Sequence, residues 1–317
     1  MPRSSPKLNK KAERHGICVL APTLVCTVTV ESVAQQADEI HFHAGGQGLW
    51  IARMAGTLGE PVEICSPIGG ESGVLLEPLV NTENVSLHAV PVRGANGSYI
   101  HDRRGGERHP IAEVVAPPLS RHESDDLVST VLTRGLRSAV TVLTGTADAS
   151  LFDPDAVRRL ALDLGRNGTP VVVDVSGEFL RALEGGVRFL KVAHGELVEA
   201  GLAANDSEHT LIDALRRLTA GAVEDAIVSR ATQPAIALVG GRLYQVVVPE
   251  LEEKDHRGAG DSMTAGLAVG LARGLKTEEL LKLAGACGAL NVTRHGLGTG
   301  RREWIEDLSH RVQVTPL

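Results

Sequence analysis

The chain has 317 residues, 43% apolar and 22% charged, a balance that supports a large buried core and excludes a disordered or fibrous protein. A net charge of −7 and an aromatic content of 3% leave little for phosphate-tracking patches or base-stacking platforms, so no nucleic-acid partner is expected. Cys18, Cys26, Cys65 and Cys287 form no C-x-x-C pair, which argues against a structural zinc site or disulfide framework and for buried thiols in a reducing cytoplasm.

In chain order, residues 1–14 read as a mobile polar tail. Its cations Arg3, Lys7, Lys10, Lys11 and Arg14 precede the apolar stretch Ile17 to Val30 in the manner of a secretory signal peptide. Pro22 interrupts that stretch and its end is rich in Val and Thr, so the reading adopted is the opening strand of a core spanning 15–317. Short β-branched runs at Ile17–Leu20, Val62–Cys65, Val140–Leu143, Val171–Val173, Ala226–Val228 and Ile236–Val239 predict strands. Between them, apolar spacings of three and four predict helices over Gly48–Leu58, Ser120–Thr133, Pro154–Arg166, Ser207–Thr219, Asp261–Arg273 and Thr277–Arg294. This alternation implies an α/β fold, a mostly parallel central sheet with helices on both faces and ligands at the carboxyl ends of the strands. Two segments break the rhythm. Residues 27–43 alternate polar and apolar, and 87–115 read as two strands around Gly105-Gly106, together a small inserted β flap, or lid. The charged residues beside that turn, His101 to Arg104 and Glu107 to His109, read as a solvated tip. No stretch reads as a transmembrane helix, and no membrane is expected.

The densest chemical signal is Asp255-His256-Arg257-Gly258-Ala259-Gly260-Asp261-Ser262, a glycine-rich turn opening a helix of small residues. Unpaired N–H groups at such a helix start make an anion cradle, and a first-turn carboxylate there can take a proton from an acceptor hydroxyl. Gly258, Ala259 and Gly260 are therefore candidate anion-hole residues and Asp261 the candidate base. There is no P-loop, no G-x-S-x-G elbow and no H-E-x-x-H helix. His41 and His43 share one strand face and read as a lid or cleft pair without an evident third metal ligand. Gly296 to Gly300 is a weak glycine signal, read as a cap and loop.

The Gly258–Asp261 run resembles the second signature of the PfkB, ribokinase-like carbohydrate kinases, which ends in G-A-G-D. His43-Ala44-Gly45-Gly46-Gln47-Gly48, followed by Ala52 and Arg53, resembles the family's first signature. Val173 to Glu178 and Leu190 to Leu197 are similar to the D-x-S-G-E and K-P-N-x-x-E-L segments of its 1-phosphofructokinase and tagatose-6-phosphate kinase branch. The resemblance runs over about residues 16 to 300. It implies a ribokinase-like fold, ATP and Mg²⁺ as cofactors, and a sugar or sugar phosphate as acceptor. It further implies that Gly45, Gly46, Gln47 and Asp174 face the substrate, that Lys191, Glu196, Ser229 and Arg230 face the nucleotide, and that Glu196 orders Mg²⁺ through water. The flap is expected to close over the bound sugar, and a homodimer through the lid is compatible with the resemblance.

Three departures qualify the substrate end. Ala21-Pro22-Thr23-Leu24-Val25 lacks the acid of N-P-A-x-D, Gln47 stands where the family usually has Lys, no T-R-T-N segment is recognisable in 94–99, and Arg93 is the nearest replacement. On the nucleotide side Ala193 replaces an Asn, and Ser229-Arg230-Ala231-Thr232-Gln233-Pro234 replaces an S-L-G-x-x-G turn. The expected activity is ATP-dependent phosphorylation of a sugar or sugar-phosphate hydroxyl in the cytoplasm. A catalytically impaired relative that senses a sugar or nucleotide is the alternative, and a nucleoside kinase on the same fold is a third reading.

Overall fold

A computed structural model describes residues 14–32, 37–106, 108–252, 254, 256–294 and 297–317. The tail at 1–13 and the motif residues Glu107, Asp255 and Gly296 lie outside the described residues.

The chain opens with β1 (Ile17–Leu20), β2 (Val25–Ser32), β3 (Asp38–Gly45), α1 (Gln47–Thr57), β4 (Val62–Ile68), α2 (Gly70–Val80), β5 (Val85–Pro91), β6 (Gly97–Asp102) and β7 (His109–Val114). Its middle runs α3 (Arg121–Gly135), β8 (Val140–Thr144), α4 (Pro154–Arg166), β9 (Val171–Asp174), α5 (Gly177–Arg181), β10 (Val187–Ala193), α6 (His194–Glu199) and α7 (Glu208–Thr219). It finishes with β11 (Val223–Arg230), β12 (Gln233–Val239), β13 (Arg242–Val247), α8 (Ala259–Ala272), α9 (Thr277–Val292), α10 (Arg302–Ser309) and β14 (Gln313–Pro316).

The main sheet has the order β14-β13-β12-β11-β10-β9-β8-β1-β4-β5. From β5 to β11 every neighbour is parallel, and β12, β13 and β14 close the far edge antiparallel. β1 is buried at all four positions and pairs with β4 and β8, which is why Ile17–Leu20 reads as an unbroken apolar run rather than an alternating one. Each face of the sheet carries its own core. α1, α8 and α9 pack on one face, and α3, α4 and α7 on the other. Helix α8 is buried from Ser262 through Gly270 and has no polar face, as expected for a helix wedged between the sheet and a second helix. Its small residues permit that closeness, since a Cβ at Gly266 would lie 2.7 Å from the Ala284 backbone of α9.

The second sheet, β3-β2-β6-β7, is the flap. β2 and β6 run parallel, flanked by antiparallel β3 and β7. Its register places Phe42, Val28, Ile100 and Ala112 in one row across all four strands, and His43, Thr27, Tyr99 and Glu113 in the next. Successive rows face opposite sides, so one side is apolar and the other polar. The structure corrects the expected extent of the insertion. Val85–Pro91 pairs in parallel with β4 at the edge of the main sheet, so the second flap segment starts at Gly97 rather than near residue 87. Both placements have a period of two, and alternation alone cannot separate an edge strand from a flap strand.

Candidate active site

The site lies where β9 and β10 end and α8 begins. Gly258 caps α8 in the left-handed region, φ 71°, which an L side chain resists. The first helical bond runs from the Ser262 N–H to the Gly258 carbonyl at 2.9 Å, so the N–H groups of Gly260 and Asp261 precede the ladder. The Ala259 N–H makes a long 3.4 Å bond to the His256 carbonyl inside the turn. Any Cβ at Gly260 would collide with Nζ of Lys191, so glycine there lets the lysine reach the helix start. Asn291 fixes the turn from α9: it is fully buried, its Nδ2 donates to the Arg257 carbonyl at 2.6 Å, and its Oδ1 accepts from the Ser262 hydroxyl at 3.2 Å and the Gly298 N–H at 3.0 Å.

Lys191 and Asp174 sit side by side because β9 and β10 pair in register at those two residues. Asp174 is 1% exposed. Its Oδ1 accepts from Lys191 Nζ at 3.3 Å and its Oδ2 from the Thr264 hydroxyl of α8 at 2.5 Å. This differs from the expectation that Asp174 emerges into the cleft toward the substrate: both oxygens are occupied beneath the site, tying β9 to β10 and α8. Burial alone would lower the lysine's proton affinity, but Asp174, Glu196 and Asp261 together hold its pKa above the ordinary value.

Asp261 responds in the opposite sense. Burial, then the Asp174 carboxylate, push its pKa up to about 7, against the pull of Lys191 and of a hydrogen bond from the Gln47 side chain; Glu196 adds a further upward push. Gln47, the first residue of α1, also donates from Nε2 to the Asp174 carbonyl at 3.2 Å. A neutral amide thus stands against Asp261. Gly45 ends β3 and Gly46 caps α1, so the first signature delivers Gln47 to the second.

The nucleotide-side candidates gather at the adjacent ends of β10 and β11, where Ala193 pairs with Ser229. Glu196, half-buried in α6, accepts from the Ala193 N–H at 2.6 Å through Oε2, and burial raises its pKa. His194 Nδ1 lies 3.3 Å from the Ser229 carbonyl. Arg230 is turned back onto the protein, 3.7 Å from Glu208 and 3.5 Å from the Pro234 carbonyl. The turn after it holds Ala231 at φ 51°, the single non-glycine residue with positive φ among those described.

The sequence missed one feature, a cavity of about 250 Å³ between flap and body. Its walls include Trp50 and Tyr99 and four arginines, Arg53, Arg103, Arg108 and Arg257. The solvated-tip reading holds for Arg104 and His109, which are exposed, but Arg103 and Arg108 are half-buried in this wall. Arg93, the expected replacement for a family arginine, lies outside it. His43 also lines the cavity, its ring stacked on His41 at 6.0 Å. Arg53 and Arg257 belong to the two signature segments and Arg103 and Arg108 flank the flap turn, but no local pattern says that they share one cavity.

Among curated proteins, the chain is 25% identical over 292 residues to ATP-dependent 6-phosphofructokinase isozyme 2 of Mycobacterium tuberculosis, covering 90% of this chain and 86% of that one. It is 27% identical over 293 residues to tagatose-6-phosphate kinase of Staphylococcus epidermidis, covering 90% and 92%. The fold is shared with the solved phosphofructokinase-2 from Escherichia coli in complex with potassium, with a TM-score of 0.81 at 22% identity over 94% of this chain and 99% of that one. That likeness bears out the mostly parallel, ribokinase-like α/β architecture. Residues 16–304 match the pfkB family carbohydrate kinases, and the chain belongs to that family and is a carbohydrate kinase.

Proposed function

We propose that the protein transfers the terminal phosphoryl group of ATP to a hydroxyl of a sugar or sugar phosphate, with Asp261 as base. The observation that carries this reading is Asp261, half-buried in the first turn of α8, its pKa pushed up to about 7. A carboxyl poised there is ionised enough to accept a proton and basic enough to hold one at neutral pH. Asp261 takes the proton of the acceptor hydroxyl as its oxygen attacks phosphorus. The Gly258–Gly260 backbone receives the charge gathering on the transferring group, and Lys191 lies on the same side, beside Gly260. Gln47 orients Asp261. Ser229, at the end of β11, faces the nucleotide, while Arg230 reaches it only by leaving Glu208.

Magnesium fits the residues present. Mg²⁺ usually keeps several waters and takes only one or two carboxylates, and half-buried Glu196 has just one oxygen bound to backbone. When bound, the ion would neutralise phosphate charge, and Glu196 would hold one of its waters. The flap excludes water from the acceptor. Its apolar face leaves Ile40, Phe42, Ile100 and Val114 exposed, which supports a homodimer through the lid. A cytoplasmic location, where ATP is available, belongs to the same reading; among the described residues all four cysteines are free and no helix is long and apolar enough to cross a membrane.

The test is ATP consumption against a panel of sugars, sugar phosphates and nucleosides. Turnover with a sugar or sugar phosphate that Asp261→Asn abolishes is the expected result. Turnover surviving that change removes Asp261 as base. Ligand-induced stabilisation with no turnover on any acceptor points to a sensor instead.

A further inference from the structure

We propose that Asn291 is a positioning residue for phosphoryl transfer: from α9 its side-chain amide holds the Gly258–Gly260 backbone in the shape that receives the transferring group. This rests on the kinase reading above and adds to it a residue that lies in neither signature segment. One face of α9 meets the turn before α8. Asn291 and Val292 follow Gly288 by three and four residues, so the three share that face. A Cβ at Gly288 would lie 3.1 Å from the Ala259 carbonyl oxygen, so the helix approaches the turn closely. The Val292 carbonyl accepts from the Lys254 N–H at 2.7 Å, and the Asn291 amide takes hold three residues later, at the Arg257 carbonyl. The approach to the turn is thus held by α9 at two points.

The chemistry of the side chain suits this place. At one buried point Asn291 donates to the Arg257 carbonyl and accepts from the Ser262 hydroxyl and from the Gly298 N–H, which sits between the cavity-lining residues Leu297 and Thr299. An apolar side chain can do none of this, a carboxylate cannot donate, and an ammonium cannot accept. A carboxylate would also set negative charge against a turn that must receive phosphate. In a trans peptide the C=O and N–H point opposite ways, so drawing the Arg257 carbonyl toward α9 turns the Gly258 N–H away from that helix. Gly258, at φ 71°, makes the turn possible, and for the same reason it leaves the backbone loose. The Asn291 amide lies against this loose point, with Nδ2 and Oδ1 each 3.5 Å from where a Gly258 Cβ would stand. An anion hole acts by being fixed before charge develops, and the amide supplies that stiffness. Ser262 carries the hold into α8: it is fully buried, follows Asp261, and its N–H donates to the Gly258 carbonyl at 2.9 Å.

The experiment uses Asn291→Ala, Asn291→Asp, which keeps the volume and the two accepted bonds but loses the donor, and Ser262→Ala, which removes one accepted bond. Steady-state kinetics are measured below each melting transition on an acceptor that the wild type turns over. Thermal stabilisation by magnesium and ADP is compared with that by the same mixture plus aluminium fluoride, a mimic of the transferring phosphoryl group. Both Asn291 variants should lose about 10- to 100-fold in kcat while KM for ATP and acceptor stays within about twofold, and Ser262→Ala should lose less than about threefold. The extra stabilisation by aluminium fluoride should vanish in both Asn291 variants, while stabilisation by ADP alone persists. A lowered melting temperature with kcat intact makes Asn291 a structural tie and overturns the proposal, as does a loss carried by KM. Impairment of Asn291→Ala with Asn291→Asp unaffected assigns the effect to lost volume rather than the donated bond, and overturns it too. If no acceptor turns over, the kinase reading fails by itself. Aluminium fluoride stabilisation of the wild type that both Asn291 variants lose then still supports the anchor; its absence from the wild type, or its persistence in the variants, refutes it.

Discussion

The start of α8 and the cavity under the flap lie next to each other and arrange charge in opposite ways. At α8 one cation, Lys191, is surrounded by Asp174, Glu196 and Asp261, and the outcome is a carboxyl held near neutrality. Under the flap the balance is reversed, with four arginines and Glu31 among the described residues that line the cavity. The acidic side rests on paired strands and a helix start, with side chains locked by bonds such as Thr264 to Asp174 at 2.5 Å. The basic side is assembled from a flap turn and scattered body residues. Proton transfer needs a fixed geometry, whereas the side chains of such a cavity wall can change without disturbing that geometry.

The largest expected effect is on the acidic side. Asp261→Asn should lower kcat by about 10²- to 10⁴-fold with little change in acceptor KM, measured by steady-state kinetics. A loss carried by KM alone would place Asp261 with the acceptor-binding groups instead. Next, Lys191→Met strips the cation from buried Asp174 and should cost about 3–5 kcal/mol in urea denaturation. A much smaller cost would mean the pair is more hydrated than its burial implies.

Two changes sharpen the comparison by altering charge without removing machinery. Gln47→Lys brings a cation to Asp261, stabilises its carboxylate and should move the acid limb of the rate profile to lower pH, so the variant gains at pH 6 relative to pH 8. The stability of Asp261 itself carries a sign. Its folded pKa of about 7 lies above the ordinary 3.8, so the folded state binds that proton more tightly and loses stability as pH rises from about 4 through 7. Asp261→Asn should therefore raise the melting temperature at pH 8 and leave it nearly unchanged at pH 3.5. The smallest effect belongs to the nucleotide-side turn: Ala231→Gly relieves a positive φ and should stabilise by about 1 kcal/mol.

What the sequence made legible is what local pattern specifies. The Gly258–Asp261 turn, the buried run of β1 and helix α4, with Pro154 at its first position and Arg166 at its last, are short-range signals and lie where expected. Helix α2 escapes a reading by periodicity, because Pro78 and a weakly sided pattern hide it. Asp174 is legible as a strand-end acid, but its partners Lys191 and Thr264 lie 17 and 90 residues away, and only the packing of β9 against β10 and α8 brings them together. The arginine cavity is hidden for the same reason, since Arg53 and Arg257 meet across the fold.

The most direct test of the central claim is the pH dependence of kcat/KM from pH 5 to 8 for the wild type, with Asp261→Asn measured in parallel. The account predicts an acid limb with a midpoint near 7 that reports ionisation of Asp261, and loss of nearly all turnover in the variant. A flat wild-type profile across that range, or a variant that keeps the same limb and rate, would contradict it.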